Sequence, residues 1–212
     1  MEQENKSPIL SVLVCQVENK DIETILSVLQ GQRSSLPNPE GVEILHLTDN
    51  TGLTVSAKRN KLLDMARGDY LCFVDDSGRV WGDYLVRILR ALASHPDYVG
   101  IRVVVTTNDL HPIIQEMACH HSSDRMGDVE KYPTNHLCPI RSGIAKSAYF
   151  SDADGEEWSS KIAPLLNNGV VIQDILYHRS RNVPEAPVLS PLPQRPHVVV
   201  RPRPVGTAHY RV

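Results

Sequence analysis

Runs of apolar residues divide the first half of the chain into regular units. Four runs rich in apolar residues lie at residues 9–15, 42–47, 70–74 and 99–105, and the first of them is nearly continuous. Continuous apolar character is typical of parallel strands that are covered on both faces. Between these runs, apolar residues recur at intervals of three and four, the spacing of one helix face. The order predicts an α/β fold with a mixed, mainly parallel sheet and flanking helices.

Three helices are predicted between these strands. Their inner stripes are Ile22, Ile25, Leu26 and Leu29; then Leu62, Met65 and Ala66; then Leu85, Ile88, Leu89 and Leu92. The first helix is expected to end near Gly31, because glycine is common just after a helix. Ser56 is expected to cap the second helix and Gly68 to end it. His95-Pro96 is expected to close the third.

The pattern weakens after the fourth strand. Residues 106–133 are expected to form an irregular excursion, with a strand at Ile113-Ile114 left open. A helix is predicted at residues 156–166, and short strands at 170–172 and 175–177. From Pro184 to Pro204 the chain carries seven prolines among several arginines, and proline removes the backbone donors of a packed sheet. We expect one domain over residues 1–183 and an extended tail over 184–212; a strap lying on the domain surface is the alternative.

Length and composition are those of an ordinary globular protein. The chain has 212 residues, 41% of them hydrophobic, and a formal net charge of −3, so the whole chain does not attract nucleic acid electrostatically. No apolar stretch approaches the roughly 20 residues that cross a bilayer, and residues 1–6 lack the pattern of a signal peptide. The four cysteines show no paired close spacing. We therefore expect reduced thiols and a cytoplasmic location.

Polar residues follow three of the predicted strands. Gln16 and Glu18 follow the first, Asp49 follows the second, and Asp75 and Asp76 end the third. Because open parallel sheets bind ligands beyond the carboxyl ends of their strands, these residues are expected to form one site. Two adjacent carboxylates at the end of a buried strand are costly unless they are solvated, paired or bound to a cation. A divalent cation carrying a diphosphate would offset that cost; a solvated turn is the alternative.

Six short segments occur in a fixed order along the chain. They are SAKRN at 56–60, ARGDY at 66–70, FVDD at 73–76, NHLCPIR at 135–141, DGEE at 154–157 and YHR at 177–179. In order and spacing these segments resemble family-2 glycosyltransferases of GT-A fold, and NHLCPIR is similar to a segment of small phage and bacterial glycosyltransferase-like proteins. The resemblance covers residues 8–182 and implies a GT-A-like, Rossmann-type sheet.

The resemblance implies a metal-assisted donor site. Asp76, with Asp75, would hold Mn²⁺ or Mg²⁺, and this divalent metal would bridge the nucleotide diphosphate and neutralise the leaving group. His178 would be a third metal ligand or a diphosphate contact. The alternative for His178 is a structural histidine, since lone histidines more often have that role.

The resemblance also implies contacts to the rest of the donor. Lys58 and Arg59, followed by Asn60, would face the phosphates from the start of a helix, where free N–H groups favour anions. Asp49 would contact the base or the ribose. The other residues of the predicted donor site are Gln16 and Glu18. The alternative for Lys58 and Arg59 is an ordinary solvated helix face.

The acceptor side is implied by the downstream segments. Glu157 would be the general base that takes a proton from the acceptor hydroxyl. Asn135, His136 and Glu156 would lie on the acceptor side of the site. The alternative for Glu156 and Glu157 is that carboxylates favour the start of any helix.

The chain departs from the family pattern at the centre of the predicted site. Ser77 stands where the family usually has a further aspartate, and Gly78 where it often has another. Glu157 stands where the family base is usually aspartate. The first strand ends in Cys15-Gln16 instead of a proline–threonine turn. These departures favour either a weakened metal site or a protein that has kept the fold without the activity.

The predicted function is the transfer of a sugar from a nucleotide-sugar donor to an acceptor hydroxyl, with inversion, and a UDP-sugar is the expected donor. The alternatives are a catalytically degenerate protein of GT-A fold that binds nucleotide or glycan, and a related nucleotidyltransferase. The expected partners are the nucleotide-sugar donor and an acceptor that is a glycan, a protein or a modified nucleobase. The expected location is the cytoplasm of a bacterial or phage-infected host cell, and homo-oligomerisation is left open.

Overall fold

A computed structural model describes residues 7–16, 22–47, 52–76, 78–119, 124–126, 128–152 and 156–181. The predicted tail at 184–212 lies outside these residues, so the division of the chain at residue 183 stays a prediction. Of the predicted site residues, Glu18 and Asp49 also lie outside them, and the side chain of Glu156 is not described.

The described residues form five α-helices and ten strands. The helices are α1 Glu23–Ser34, α2 Val55–Met65, α3 Tyr84–Leu92, α4 Ser142–Ala145 and α5 Glu156–Ile162. The strands are β1 Leu10–Cys15, β2 Val42–Leu47, β3 Tyr70–Asp75, β4 Gly78–Val80, β5 Tyr98–Thr107, β6 Leu110–Cys119, β7 Asp124–Met126, β8 Val129–Pro133, β9 Ile140–Arg141 and β10 Gly169–Arg181. Short 3₁₀ turns cover Pro39–Gly41 and Ala163–Leu165.

The strands form one mixed sheet in the order β2-β1-β3-β9-β5-β6-β8-β7, with β10 pairing with both β4 and β5. β1 runs parallel to β2 and β3, and β10 runs parallel to β5. Cys15 lies opposite both Leu47 and Asp75. The carboxyl ends of the three parallel strands are therefore level, as the prediction of one common site requires. The α/β class with a mixed sheet is confirmed.

The core lies where helices cover the sheet. Every residue of β1 and β3 is buried, which explains why these strands are apolar without alternation. The helices bury the expected stripes, Ile25, Leu26 and Leu29 on α1 and Leu85, Ile88 and Leu92 on α3. Each fully buried side chain of this size contributes about 1.5–3 kcal/mol to folding.

The three cysteines whose side chains are described are free thiols, as expected. Cys15, Cys72 and Cys138 are buried and unpaired. Burial raises the pKa of Cys15 to about 11 and that of Cys72 and Cys138 to about 12. Because the thiolate is the reactive form, these side chains pack as small apolar groups.

The ends of α2 differ from the prediction. Thr54, not Ser56, caps the helix, and its hydroxyl accepts a hydrogen bond of 3.2 Å from the N–H of Ala57. The helix ends at Met65, which is 43% exposed, whereas Leu63 is buried in the inner face. Thr54 and Ser56 are both residue types that cap helices. The packing of Leu62 and Leu63 sets where α2 begins and so which of the two is the cap.

The prediction of an irregular excursion over residues 106–133 is wrong, whereas the strand left open at Ile113-Ile114 is present as part of β6. β5 and β6 form a long hairpin whose turn contains Asn108 and Asp109 with positive φ, and β7 and β8 extend the sheet. The outer half of β6 is exposed, so it lacks the apolar alternation by which a half-buried strand is recognised. Likewise, residues 169–181 form one strand where two were predicted. Register shifts interrupt the pairing of this strand between Val171 and Tyr177, which is where the sequence pattern was divided.

Across the described part of the chain, no helix combines the length and the apolar character needed to cross a bilayer.

Candidate active site

Asp75, the last residue of β3, is the centre of a buried polar cluster. Its Oδ1 accepts a hydrogen bond of 3.0 Å from Nη2 of Arg59, which comes from α2. Nε2 of His136 lies 3.2 Å from the same Nη2 and 3.5 Å from Oδ2 of Asp75. Since a guanidinium only donates, Nε2 of His136 is the acceptor of the Arg59 contact. The cluster joins two of the predicted donor residues to one residue predicted on the acceptor side.

The charges in this cluster follow from burial and proximity. Burial alone would raise the pKa of the Asp75 carboxyl, but His136, Arg59 and Arg179 together hold that pKa well below its usual range. Burial lowers the pKa of His136 below its usual value. At neutral pH His136 is therefore neutral, which agrees with the role of Nε2 as an acceptor, and the charges of Arg59 and Arg179 are the ones that then keep Asp75 ionised.

Aromatic rings enclose the Arg59 guanidinium. Its central carbon lies 5.9 Å from the ring centroid of Phe73 and 5.4 Å from that of Phe150. Phe150 in turn stacks on the buried ring of Trp158, with centroids 4.7 Å apart. Cations are attracted to aromatic faces at such distances. Arg59 is therefore fixed in place from three sides.

Lys58 is turned into the domain. Its side chain is 2% exposed, and its Nζ donates a hydrogen bond of 2.6 Å to the backbone oxygen of Gln16, just beyond β1. The alternative of a solvated helix face is therefore wrong for both Lys58 and Arg59. Their role as phosphate contacts stays a prediction, since Lys58 already bonds Gln16 and Arg59 already pairs with Asp75.

The acidic turn is shaped by Tyr177 of β10. The backbone N–H of Asp75 donates a hydrogen bond of 3.2 Å to the hydroxyl of Tyr177. A Cβ atom built on Gly78 would lie only 1.7 Å from that hydroxyl oxygen. No side chain fits at position 78 in this arrangement, so the further aspartate that the family often has there is excluded by packing. Asp76, between these residues, is buried.

α2 also holds the segment that precedes α5. The Asn60 amide donates to the backbone oxygen of Phe150 at 2.9 Å and accepts from its N–H at 2.8 Å. Ser56 donates to the backbone oxygen of Ser151 at 2.9 Å. Neighbouring residues of one helix thus contact Asp75 on one side and residues 150–151 on the other. The predicted donor role of Asn60 stays a prediction, because its amide is engaged with Phe150.

Glu157 is connected to this segment. Its carboxylate accepts a hydrogen bond from the Ser151 hydroxyl and pairs with Nζ of Lys161 at 2.6 Å. Lys161 first and Ser151 second hold the pKa of Glu157 below its usual value. Glu157 is therefore ionised at neutral pH and able to accept a proton, although its basicity is reduced. Its role as the base stays a prediction.

Two predicted residues face other surroundings. Nε2 of His178 lies 2.9 Å from the hydroxyl of Thr106. Since side chains alternate along a strand, His178 points to the face of β10 opposite to Tyr177, so β10 argues against His178 as a metal ligand. Asn135 accepts a hydrogen bond of 3.0 Å from the N–H of Leu137 and so stabilises the turn before β9.

The residues around Asp75 do not fit a divalent cation. Mg²⁺ and Mn²⁺ prefer several oxygen ligands, carboxylates above all. Oδ1 of Asp75 is occupied by Arg59, position 77 is a serine, and position 78 has no room for a side chain. In the described part of the chain, no three or more His, Cys, Asp or Glu side chains form a group that could hold a metal. The expected cation stays a prediction that these ligands do not support.

Tyr177 and Arg179 belong to the site but were not predicted from the sequence. Both belong to the YHR segment, from which only the histidine was chosen. A strand period of two would have assigned Tyr177 and Arg179 to one face and His178 to the other. The register of β10 was needed to show which of these faces meets Asp75.

Comparison with known families and structures agrees with this geometry. Residues 19–151 match the model of Glycosyl transferase family 2, a range that contains Arg59, Asp75 and His136 but neither Glu157 nor β10. No curated protein matches the chain.

Solved structures of TarS from S. aureus are similar in fold. TarS 1–349 in complex with UDP-GlcNAc has a TM-score of 0.57 and 16% identity, over 83% of this chain and 59% of that chain. TarS itself has a TM-score of 0.57 and 16% identity, over 81% and 36%. TarS 1–349 in complex with UDP has a TM-score of 0.51 and 14% identity, over 81% and 60%. This chain therefore spans less than two thirds of the TarS chains that it matches.

Proposed function

The chain belongs to glycosyl transferase family 2, and from this premise we propose that it transfers a sugar from a nucleotide-sugar donor to an acceptor hydroxyl. One observation carries the proposal: the carboxyl ends of β1, β2 and β3 are level, and α2 directs Arg59 to Asp75 at that edge. Open sheets bind ligands at such an edge.

The donor is proposed to lie over the turn that follows β3. Asp75 is held ionised beneath it, and Asp76 supplies a second carboxylate that accepts hydrogen bonds from sugar or ribose hydroxyls. The aromatic enclosure of Arg59 keeps Asp75 in one position. A fixed site of this kind binds without first having to be ordered, which favours both affinity and a productive orientation.

Glu157 is the proposed base. In a single displacement, its carboxylate accepts the proton of the acceptor hydroxyl while the acceptor oxygen bonds to the anomeric carbon. The bond from that carbon to the phosphate oxygen breaks, and its electron pair leaves with the diphosphate, so the configuration inverts. The support for this role is indirect: Ser151 joins Glu157 to the segment that Ser56 and Asn60 hold against α2.

The proposed donor class is a UDP-sugar, because TarS, which has a similar fold, binds UDP-GlcNAc and UDP in its crystal structures. The transferred sugar is not specified by this likeness. A glycan, a protein and a modified nucleobase all remain candidates for the acceptor.

Calorimetric titration tests the donor site. UDP, GDP, CDP, ADP and UDP-GlcNAc are titrated into the protein in EDTA and in Mn²⁺. We expect UDP and UDP-GlcNAc to bind, and Asp76→Asn to weaken binding. Asp109→Asn is the matched control, because Asp109 lies in the exposed β5–β6 turn with a φ of 60° that asparagine tolerates. Absence of nucleotide binding at millimolar concentrations in both conditions contradicts the proposal.

A binding protein without activity is the second candidate. It is favoured by Ser77 and Gly78 in place of aspartates and by the pairing of Asp75 with Arg59. The two candidates make the same prediction for nucleotide binding and opposite predictions for turnover. Donor turnover therefore decides between them.

A further inference from the structure

Arg179 lies beside the acidic turn without a side-chain partner. It is half-buried on β10, and within the described part of the chain its side chain makes no hydrogen bond or ion pair. The charges of two arginines, Arg59 and Arg179, lower the pKa of Asp75. Of these two, Arg59 is paired with the Asp75 carboxylate. A half-buried guanidinium with unused donors is well suited to bind an anion.

The pairing of β10 fixes where Arg179 points. Arg179 lies directly opposite Gly78 on β4, and facing residues of antiparallel strands have Cα atoms about 4.5–5.5 Å apart. Alternation puts Arg179 on the same face as Tyr177, whose hydroxyl bonds the N–H of Asp75. Gly78 has no side chain, so β4 places none opposite Arg179, and the space above Gly78 is taken by the Tyr177 hydroxyl. The guanidinium therefore lies at the turn where the donor is proposed to bind.

The site needs positive charge that the other residues do not supply. The turn already carries the carboxylates Asp75 and Asp76, and Arg59 is committed to the first of them. A nucleoside diphosphate brings further negative charge, and transfer of the sugar increases the charge on its leaving oxygen. The ligands around Asp75 do not fit the divalent cation that would ordinarily offset this charge. A fixed cation at the diphosphate is thus required from the protein itself.

We propose that Arg179 binds the diphosphate of the donor and neutralises the leaving group in place of a divalent metal ion. The proposal rests on the proposed nucleotide-sugar transfer. Arg179 is well suited to this task because a guanidinium can form two parallel hydrogen bonds to phosphate oxygens. Pre-positioned charge of this kind stabilises the developing anion without the reorganisation that water would need.

Binding measurements with and without the diphosphate test this assignment. UDP, GDP, CDP and ADP are titrated calorimetrically in EDTA and in Mn²⁺, and the corresponding nucleosides are followed by saturation-transfer NMR. For the wild type, we expect nucleoside diphosphate affinity in EDTA to be within about twofold of that in Mn²⁺. For Arg179→Met, we expect the diphosphate affinity to fall about 10- to 100-fold, as for the loss of charged hydrogen bonds, and nucleoside affinity to be unchanged.

Two further variants separate binding from folding. Arg79→Met is the matched control, because Arg79 is exposed and faces His178 on the opposite side of the same strand pair; it should bind as the wild type does. Arg179→Lys keeps the charge but not the forked geometry, so its diphosphate affinity should lie between those of the wild type and Arg179→Met. If Arg179→Met does not fold, the assignment is tested by the diphosphate affinity of Arg179→Lys and by whether the wild type binds diphosphate equally well in EDTA and in Mn²⁺.

The outcomes are distinguishable. Diphosphate binding that requires Mn²⁺, or that survives Arg179→Met, overturns the assignment of Arg179 and leaves the proposed transfer intact. Equal weakening of diphosphate and nucleoside shows that Arg179 only maintains the fold of the site, which also overturns it. Failure of the wild type to bind any of the nucleotides, in either condition, contradicts the proposed function itself and the assignment with it.

Discussion

Glu157 and Lys161 form a pair four residues apart on the short helix α5, and Ser151 donates to the same carboxylate. Such contacts stabilise the ionised form and so reduce the basicity of Glu157. A base of this kind is ionised throughout the neutral range, and it takes the proton as the acceptor hydroxyl becomes more acidic on bonding to the anomeric carbon. Its neighbours therefore set the pH range of the reaction.

Glu157→Gln tests the base. The amide keeps the shape and most hydrogen bonding but cannot accept a proton, so kcat is expected to fall by about 10²–10⁴-fold while donor affinity is nearly unchanged. Steady-state kinetics together with calorimetry of the donor measure the two effects. Full activity in this variant would leave Glu157 as an ordinary helix-start carboxylate and direct attention to Asp154 or Glu156.

Lys161→Met provides the pH control for this experiment. Because Lys161 lowers the pKa of Glu157, its removal should raise that pKa. Activity requires the ionised carboxylate, so the acid limb of the kcat profile should shift to higher pH. An unshifted acid limb would mean that another group carries the proton.

Arg59→Met tests the buried pair with Asp75. Removal of one partner leaves the Asp75 carboxylate buried without its closest counter-charge, and breaking such a pair costs about 3–5 kcal/mol. We expect the free energy of unfolding at pH 7, measured with urea, to fall by about that amount. Arg87→Met, which removes a surface arginine paired with Asp83 and Asp174, should cost much less.

The pH dependence of this loss has a definite sign. In the wild type the pKa of Asp75 is lowered on folding, so its stabilising contribution is present above the unfolded value of about 3.9 and is lost as pH falls towards the folded value. Without Arg59, burial favours the protonated carboxyl. The difference in stability between wild type and Arg59→Met should therefore narrow as pH falls from the raised pKa of Asp75 in the variant towards its lowered pKa in the wild type; a constant difference would contradict the ion-pair account.

At the scale of elements, β4 and β10 give the acidic turn its shape. β4 is only three residues long, yet it pairs Gly78 with Arg179 and so closes the turn that begins at Asp75. Tyr177, two pairing positions away, fills the space above Gly78. The turn is therefore positioned from the far end of the chain, by a strand beyond the matched family region.

Gly78→Ala tests this contact. The added methyl group would overlap the Tyr177 hydroxyl, and overpacking of this kind costs about 1–3 kcal/mol. We expect lower stability and weaker nucleotide binding, since Tyr177 must release the N–H of Asp75. Gly82→Ala is the matched control, because nothing lies within 4 Å of a Cβ at that position. Equal effects of the two substitutions would contradict the account.

The same elements show what the sequence can predict. β1, β2 and β3 were predicted within one residue, because burial of these strands produces their apolar pattern. β4 was missed because three residues with one glycine carry no period. β6 and β10 were misread because exposure and register shifts remove the alternation. The pattern of apolar residues therefore identifies the buried parallel strands of this sheet, but not β4, β6 and β10.

At the scale of the whole molecule, the candidate site combines residues from distant parts of the chain. The rule for open parallel sheets placed Asp75 in the site, and Arg59 joined it through the resemblance to family-2 glycosyltransferases. The sequence did not predict that Arg59 would neutralise Asp75, nor that Arg179 would approach the same turn. These contacts depend on the packing of Phe150 on Trp158 and on the register of β10, which no local pattern encodes.

The predicted tail offers a test at this scale. Residues 184–212 are rich in proline and arginine and contain few apolar groups, so they have little apolar surface to bury. A chain that ends at Val183 should unfold at the same temperature as the full chain, measured by differential scanning calorimetry. A loss of several degrees would show instead that the segment is a packed strap.

The central claim is that the protein transfers a sugar from a nucleotide donor. The most direct test is the release of nucleoside diphosphate from UDP-sugars, followed over time with wild-type protein, with a glycan, a protein or a modified nucleobase as acceptor and without acceptor. The account predicts release that is stimulated by one acceptor class and reduced about 10²–10⁴-fold in Glu157→Gln. Wild-type protein that binds the donor but releases no diphosphate with any of the three acceptor classes would contradict it.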